Sequence, residues 1–120
     1  MLLNISNHPS SLWSEEQLNA SAVFGSVIDM PFPDVDPYAG VTAVSSLAEK
    51  YLADVIKVGS PDEVTVHLMG EFCFTFSLLL LLKENGYTCV ASTTRRNVII
   101  ENGMKKVCFE FCSFREYWGE

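Results

Sequence analysis

The fold is decided by residues 64–96, which read VTVHLMGEFCFTFSLLLLLKENGYTCVASTTRR. Apolar stretches separated by turn residues predict a strand, a helix and a second strand, at residues 64–69, 72–83 and 87–91. The two strands of such a βαβ unit are parallel, and the helix crosses one face of the sheet. Because ligands of parallel sheets bind beyond the carboxyl ends of the strands, Glu71 and residues 92–96 are expected at the same edge.

The segments on either side extend this unit. A strand, a helix that Ser14 opens as N-cap, a second strand and a longer helix are predicted before it, at residues 2–6, 15–25, 26–30 and 38–58. After it, Asn102–Gly103 predicts a type I′ turn that joins two strands, residues 97–101 and 104–114. The predicted fold class is α/β: a small Rossmann-like three-layer domain over residues 1–120, with parallel strands in the order 2-1-3-4 and a C-terminal β-hairpin.

Length, composition and charge narrow the class of protein. A chain of 120 residues, 48% of them hydrophobic, can bury one core and form one domain. No secretory leader is recognised, and the longest apolar run is too short to cross a bilayer, so a cytoplasmic protein without a membrane partner is expected. The net charge of −7 argues against a binder of duplex nucleic acid. The four cysteines lack paired CxxC spacing, so they are predicted to be reduced core residues.

Polar groups follow three of the predicted parallel strands. His8 follows the first strand, Glu71 the third, and the run Ser92 to Arg96 the fourth. In the order 2-1-3-4 the winding reverses between the first and third strands, so these groups border one crevice. Two guanidinium groups beside hydroxyls can hold a phosphate or carboxylate, and a histidine with a carboxylate suits phosphoryl transfer. Arg95 and Arg96 are adjacent and so are expected to point to opposite faces, which means that only one need enter the site. Arg95 is the favoured one.

Several of these residues also have purely structural interpretations. His8 can be an ordinary turn residue, and Glu71 in the first turn of a helix favours the helix dipole. Thr93 and Thr94 have the high β-propensity of ordinary strand residues. His67 lies inside a strand that is expected to be buried on both faces, so it is interpreted as a hydrogen-bonded core histidine.

Two further pairs of residues have competing interpretations. Asp34 and Asp36 resemble an acidic metal pair, but Asp36 before a proline fits a helix N-cap better. Trp13 and Phe72 flank the crevice and can stack on a nucleotide base, although a core position is the preferred interpretation for Phe72. The chain contains no Walker A, GxGxxG, GxSxG or HExxH motif, which argues against an ATPase, a dehydrogenase of the usual kind or a hydrolase elbow.

Three short motifs together resemble the CRISPR-associated Rossmann fold (CARF). They are the polar turn at residues 6–10, the Met69–Gly70–Glu71 start of a helix, and the Ser/Thr–Arg segment at residues 92–96. Small standalone members of that group include the ring nucleases of type III CRISPR systems. The resemblance implies a homodimer that binds a cyclic oligoadenylate across both crevices. It also implies cleavage without metal or cofactor, giving linear products with 2′,3′-cyclic phosphate ends.

The resemblance and the residue patterns together define a predicted site. His8, Glu71 and Arg95 are its predicted catalytic residues. The predicted ligand-binding residues are Ser6, Asn7, Ser10, Trp13, Gly70, Ser92, Thr93, Thr94 and Arg96. Two alternatives stay open: a non-catalytic sensor or sponge for the same ligand, and an unrelated α/β protein that acts on a mononucleotide or sugar phosphate.

The hairpin favours a dimer. Regular alternation predicts Val107, Phe109 and Phe111 on one face, and Cys108, Cys112 and Phe114 on the other. A terminal hairpin that is apolar on both faces needs cover on both, and a second subunit can supply one of them.

Overall fold

The structure, a computed structural model, describes residues 1–119. It is an α/β fold with a five-stranded mixed sheet in the order β2-β1-β3-β4-β5. The strands are β1 (Leu2–Ser6), β2 (Val27–Asp29), β3 (Thr65–Met69), β4 (Thr88–Glu101) and β5 (Met104–Glu116). The helices are α1 (Glu15–Ser21), α2 (Val41–Val58) and α3 (Phe72–Glu84). Strands β1 to β4 are parallel and β5 is antiparallel to β4, so the predicted order with a terminal hairpin is confirmed.

The central strands alternate between two covered faces. On the helical face, which helices α2 and α3 cover, fully buried residues of β1 and β3 form the main core: Leu3, Ile5, Val66 and Leu68. On the opposite side, here called the crevice face, Leu2 and Val90 pack against Trp13, Phe24 and Phe114. Fewer residues therefore cover the crevice face than the helical face, and this leaves space for a cavity at one end of the crevice face.

Helices α1 and α3 are each capped at the N-terminus by a side chain that accepts hydrogen bonds from backbone N–H groups. The hydroxyl of Ser14 accepts a hydrogen bond from the backbone N–H of Gln17 at 3.2 Å, which confirms the predicted N-cap of α1. The carboxylate of Glu71 caps α3 by accepting from the backbone N–H groups of Cys73 and Phe74, at 2.8 and 3.2 Å. This contact satisfies free donors of the first turn and complements the helix dipole.

The start of α2 differs from the prediction. The helix begins at Val41 after Gly40, three residues later than expected. The carboxylate of Asp36 accepts from the backbone N–H of Tyr38 at 2.9 Å, two residues ahead, so it forms a local turn and not the predicted N-cap. Asp and Asn side chains compete with helices through such turns, which explains the error.

Strand β4 is longer than predicted. Its first residues pair with β3, and the strand then runs past the end of β3 with only β5 as its neighbour. The prediction that residues 92–96 follow a strand is therefore wrong, because they belong to β4. At the hairpin tip Asn102 and Gly103 have φ angles of 53° and 74°, which confirms the predicted type I′ turn.

A β-bulge changes the facing of the β5 side chains. Thr93 pairs with Ser113 and Thr94 with Phe111, so Cys112 is the extra residue on β5. As a result Phe111 and Phe114 lie on the same face, with ring centroids 5.0 Å apart. The prediction that these two rings occupy opposite faces was wrong, because it assumed regular alternation.

Two expectations about buried residues were also wrong. Cys89 is buried as predicted, but Cys73 and Cys112 are exposed and Cys108 is half-buried, and all four thiols are free. Phe72, expected in the core, has 89% of its surface exposed at the first turn of α3. Within residues 1–119, no helix combines the length and the apolar character that crossing a membrane needs.

Candidate functional site

A crevice of about 850 Å³ lies on the crevice face at the carboxyl ends of β1 and β3. This is the switch point of the sheet, where the strand order reverses between β1 and β3. The turn after β1, helix α1 and the outer part of the β4–β5 hairpin form its walls. Its lining includes Ser6, Asn7, His8, Trp13, Gln17, His67, Met69, Gly70, Ser92, Thr94, Phe109 and Phe111.

Three polar side chains from three neighbouring strands form a hydrogen-bonded row at the base of the crevice. The Nδ1 atom of His67 lies 2.8 Å from Oδ1 of Asn4, and its Nε2 atom lies 2.7 Å from Oγ of Ser92. Asn4 and His67 are register partners in β1 and β3, and both are 2% exposed. Ser92 on β4 is half-buried and lines the crevice. The row therefore leads from a buried amide to a hydroxyl that a ligand can reach.

The contacts of Asn4 fix the direction of every hydrogen bond in the row. Its Nδ2 atom lies 2.9 Å from the carbonyl oxygen of His8 and 2.8 Å from a carboxylate oxygen of Asp29, so it is the amide nitrogen that faces these acceptors. Its Oδ1 atom then accepts from His67, which must carry the proton on Nδ1. The Nε2 atom of His67 is left as an acceptor, and Ser92 donates its hydroxyl proton to it.

The imidazole of His67 is held uncharged. Burial, and to a lesser degree the nearby His8, lower the pKa of His67 from 6.5 to about 4. The ring is also enclosed by aromatic side chains, with the centroids of Trp13 and Phe114 each 5.5 Å away. At neutral pH the ring is therefore uncharged, and its Nε2 atom serves as the hydrogen-bond acceptor for Ser92.

A carboxylate lies behind Asn4. Asp29, at the end of β2, accepts from the side chain of Asn4 and from the backbone N–H and hydroxyl of Ser10, at 2.8, 3.0 and 2.8 Å. Partial burial acts to raise the pKa of Asp29, but these hydrogen bonds outweigh it, and the pKa lies below its usual value. Asp29 therefore stays ionised and extends the row to Ser92, His67, Asn4 and Asp29.

The turn after β1 is fixed by the same network. The Ser6 hydroxyl donates to Oδ1 of Asn4 at 2.8 Å and accepts from the backbone N–H of His8 at 3.2 Å. The carbonyl oxygen of His8 also accepts from the indole N–H of Trp13 at 3.1 Å. These contacts hold the exposed imidazole of His8 at the rim of the crevice.

The structure brings together part of the predicted site. Seven predicted residues line the crevice: Ser6, Asn7, His8, Trp13, Gly70, Ser92 and Thr94. The others have different positions. Glu71 caps α3, Ser10 binds Asp29, and the Thr93 hydroxyl lies 2.7 Å from that of Ser113 on β5.

The two arginines lie on opposite faces of β4. Arg96 has the same alternation as Ser92 and Thr94, and it pairs with the crevice-lining Phe109. Alternation puts Arg95 on the other face of the strand. Alternation therefore puts Arg96, and not the favoured Arg95, on the crevice side of β4, although neither arginine is among the residues that line the crevice.

Sequence reasoning missed Asn4, Gln17, Asp29 and the role of His67. A core position was the better interpretation of His67 alone, and it is indeed buried and hydrogen-bonded. The missed signal was a pair: one polar residue in each of two adjacent apolar strands, at the same height in the predicted sheet. In the part of the chain that the structure describes, no three His, Cys, Asp or Glu side chains are grouped as metal ligands.

These features define a class, the small α/β domain with a polar crevice at the switch point of a mostly parallel sheet. Within that class, the chain belongs to the family described as Uncharacterized protein MJ1673 family, which matches residues 1–115. The match covers β1 to β4 and nearly all of β5, and so every residue of the crevice. No curated protein and no solved structure matches the chain.

Proposed function

We propose that this protein is a homodimeric, metal-independent ring nuclease that binds a cyclic oligoadenylate in the crevice and cleaves it. The observation that carries the proposal is the position and lining of the crevice. It lies at the switch point of a Rossmann-like sheet and combines hydroxyls, an exposed imidazole and aromatic rings. Such a combination suits a nucleotide, whose bases stack on aromatic faces and whose ribose and phosphate groups accept hydrogen bonds.

The aromatic and polar sides of the crevice suit different parts of a nucleotide. Phe109 and Phe111 offer surfaces for adenine rings, whereas Trp13 is buried and forms part of the crevice wall. Asn7, in the turn after β1, offers donors for ribose and phosphate oxygens, while the hydroxyl proton of Ser6 is already donated to Asn4. Arg96 is on the same face of β4, two residues beyond the crevice-lining Thr94, and its guanidinium has the forked geometry that binds a phosphate.

The proposed dimer would supply positive charge that a single chain lacks at the crevice. The carboxylates of Glu16 and Glu110 line the crevice and repel phosphates, and one arginine cannot neutralise a ring with several phosphates. The outer hairpin presents exposed apolar side chains on the crevice side, with Val98 44%, Ile100 77% and Phe109 67% exposed. A second copy of the chain that covers this surface would bring its own Arg96, so a ligand across the two-fold axis would meet both.

The proposed chemistry needs alignment more than a strong nucleophile. The ribose 2′-oxygen attacks the adjacent phosphorus and the bond to the 5′-oxygen breaks, which leaves a 2′,3′-cyclic phosphate. In this scheme water in the open crevice takes the proton of the 2′-hydroxyl, His8 donates a proton to the leaving 5′-oxygen, and Arg96 stabilises the charge on phosphorus. Glu71 has no part in it, because its carboxylate is engaged as the cap of α3.

The test is incubation with cyclic tri-, tetra- and hexa-adenylate in the presence of EDTA, with products separated by chromatography and identified by mass. Thermal shifts with the same ligands measure binding. Arg96→Ala and Arg95→Ala form a matched pair, since the two arginines are adjacent on one strand but face opposite sides. We expect Arg96→Ala to abolish the thermal shift and Arg95→Ala to retain it.

The outcomes separate the proposal from its alternatives. Linear products with cyclic phosphate ends that disappear in His8→Ala would support the ring nuclease. A thermal shift without products would replace it with a sensor or sponge. A shift only with mononucleotides or sugar phosphates would move the function to an unrelated α/β ligand binder.

A further inference from the structure

The row at the base of the crevice has the geometry of a nucleophile, a base and an orienting group. Nucleophilic serine sites place a hydroxyl within hydrogen-bond reach of an unprotonated imidazole nitrogen, and a third group holds the other ring nitrogen. Here the Ser92 hydroxyl donates to Nε2 of His67 at 2.7 Å, and Nδ1 of His67 donates to Asn4 at 2.8 Å. A purely structural network would not need its last member to be open to a cavity, as Ser92 is.

A neutral amide is a weaker orienting group than a carboxylate, but the structure supplies a carboxylate one step further along. Nδ2 of Asn4 donates to Asp29 at 2.8 Å. A hydrogen bond to an anion polarises the amide and makes its oxygen a better acceptor. Asn4 therefore fixes the tautomer of His67, and Asp29 strengthens the hold of Asn4 on the ring.

We infer that Ser92 is a nucleophile, activated by His67 and oriented by Asn4, and that the crevice hydrolyses carboxylic esters with an apolar acyl group. This inference goes beyond the proposed function and does not rest on it. The substrate class follows from what surrounds the hydroxyl. The lining is mainly apolar on the side of Leu12, Met69 and Phe111, which suits an apolar acyl group.

The reaction balances with the groups present and one water. The Oγ atom of Ser92 attacks the carbonyl carbon while its proton passes to Nε2 of His67. The bond to the alcohol oxygen then breaks, and the alcohol leaves with that proton. Water attacks the acyl-serine by the same route and releases the acid. The Nε2 atom of Gln17 donates to Ser92 Oγ at 3.1 Å, and this N–H group would have to turn from Oγ to the carbonyl oxygen to stabilise the charge that develops there.

The ring of His67 is uncharged at neutral pH, which leaves Nε2 as the acceptor of the Ser92 hydroxyl, while the same low pKa makes the ring a weak base. Charged or titratable groups approach the row from several elements: His8 after β1, Asp29 at the end of β2, Glu16 in α1 and Glu110 in β5. Burial, with the charge of His8 in addition, keeps the pKa of His67 at about 4. The base is therefore unprotonated throughout the range from pH 5.5 to 8, and reactivity in that range should not follow the titration of a free imidazole.

The first test uses a fluorophosphonate probe on the purified full chain. Oγ of Ser92 would form a bond to phosphorus, fluoride would leave, and the hydroxyl proton would pass to His67. Intact mass should show one adduct, and peptide mass analysis should place it on Ser92. Ser92→Ala should abolish the adduct, and His67→Gln should slow labelling at least about 100-fold, the usual contribution of a general base. Ser113→Ala is the matched control, because Ser113 is an exposed strand serine that lies outside the row, and its labelling should match that of the wild type.

The second test is turnover of p-nitrophenyl butyrate. We expect release of p-nitrophenol that is lost in Ser92→Ala and retained in Ser113→Ala. If His67→Gln does not fold, the comparison of the two serine variants still decides the matter. No adduct on folded wild-type protein, an adduct that persists in Ser92→Ala, or turnover that does not depend on Ser92 would overturn the inference. The probe and the ester contain no nucleotide, so these results are independent of the test with cyclic oligoadenylates.

Discussion

The two faces of the central strands are both buried at the middle of β1 and β3 but are chemically different. On the helical face, β1 and β3 present Leu3 and Leu68, which are fully buried among apolar side chains. On the crevice face, the same strands present Asn4 and His67, each 2% exposed. The degree of burial therefore does not distinguish the core from the candidate site in this molecule. The two are distinguished by the polar atoms of the site and by their hydrogen-bond partners.

The polar face is also the better satisfied of the two. Within residues 1–119, the buried side-chain polar atom without a hydrogen-bond partner is Oγ1 of Thr75 in helix α3. The side-chain nitrogens and oxygens of Asn4 and the ring nitrogens of His67 all have partners. Buried polar groups are tolerated only when they are paired, so the crevice network stabilises one arrangement of β1, β3 and β4.

The largest effect is expected from emptying the helical face. Phe74 is fully buried, and its ring meets those of Phe32 and Tyr51 at centroid distances of 5.2 Å. Phe74→Ala should lower the free energy of unfolding by about 3–5 kcal/mol through lost contacts and a cavity. Urea denaturation measures the change. Phe76→Ala on the exposed side of α3 is the control and should cost less than about 1 kcal/mol. Equal losses in the two variants would contradict the assignment of the core.

The second largest effect is expected in the pH dependence of the free energy of unfolding, through His67 on the crevice face. The pKa of His67 is about 4 in the folded state and 6.5 when the ring is free, so below pH 6.5 the unfolded chain binds a proton that the native protein does not. The free energy of unfolding should therefore fall by about 2–3 kcal/mol as the pH drops from 6.5 to 4, and should be insensitive to this group above pH 6.5.

Urea denaturation at several pH values, in wild-type protein and His67→Gln, isolates this contribution. The variant should lose less stability than the wild type across that window. Asp29 does not confuse the comparison, because its lowered pKa places its own loss of stability at still lower pH. Parallel curves for the two proteins would show that His67 is not held uncharged in the native state.

A smaller effect on stability is expected at Ser92. Its hydroxyl is half-buried at the open end of the row, so water can replace it as a donor to His67. Ser92→Ala should lower the free energy of unfolding by about 1 kcal/mol or less, which is the net value of one hydrogen bond. Differential scanning fluorimetry and urea denaturation check this. A much larger loss would mean that Ser92 serves the fold and would weaken its assignment to chemistry.

The smallest effect on the folded chain is expected at the outer hairpin. Phe109 is 67% exposed on the crevice side of β5. Phe109→Ser should change the free energy of unfolding of the monomer by about 0.5 kcal/mol or less, since surface substitutions rarely do more. Sedimentation velocity should show a shift from dimer to monomer at the same protein concentration. An unchanged sedimentation coefficient would rule out a dimer through this surface.

Much of the fold could be predicted because the caps and turns that short stretches of sequence favour are the ones that the assembled sheet uses. Ser14 offers a cap, Asn102–Gly103 offers a turn, and the βαβ unit permits few sheet orders. The extent of β4 could not be predicted in the same way. Residues 92–96 are polar and look like a loop, but their backbone groups are paired with β5, and that partner is identified only once the hairpin is formed.

The site was predicted less well than the fold, for a related reason. Ser6 and His8 were found because ligands bind beyond the carboxyl ends of parallel strands. Ser92 was named on the same ground and lines the crevice, although it lies within β4 and not after it. His67 was interpreted one residue at a time, and a single histidine in an apolar strand gives no sign of its partners. The register that pairs it with Asn4, and the position of Ser92 on the next strand, are properties of the assembled sheet.

The bulge at Cys112 has a consequence for the gene. Phe111 and Phe114 are three positions apart, and only the extra residue between them lets both rings face the crevice. Loss of the Cys112 codon would turn the bulge into a regular ladder and leave every other cross-strand pair of the hairpin unchanged. Related genes should therefore tolerate a length difference of one codon at this point, whereas a frame-preserving deletion in β3 would exchange the two faces of a central strand.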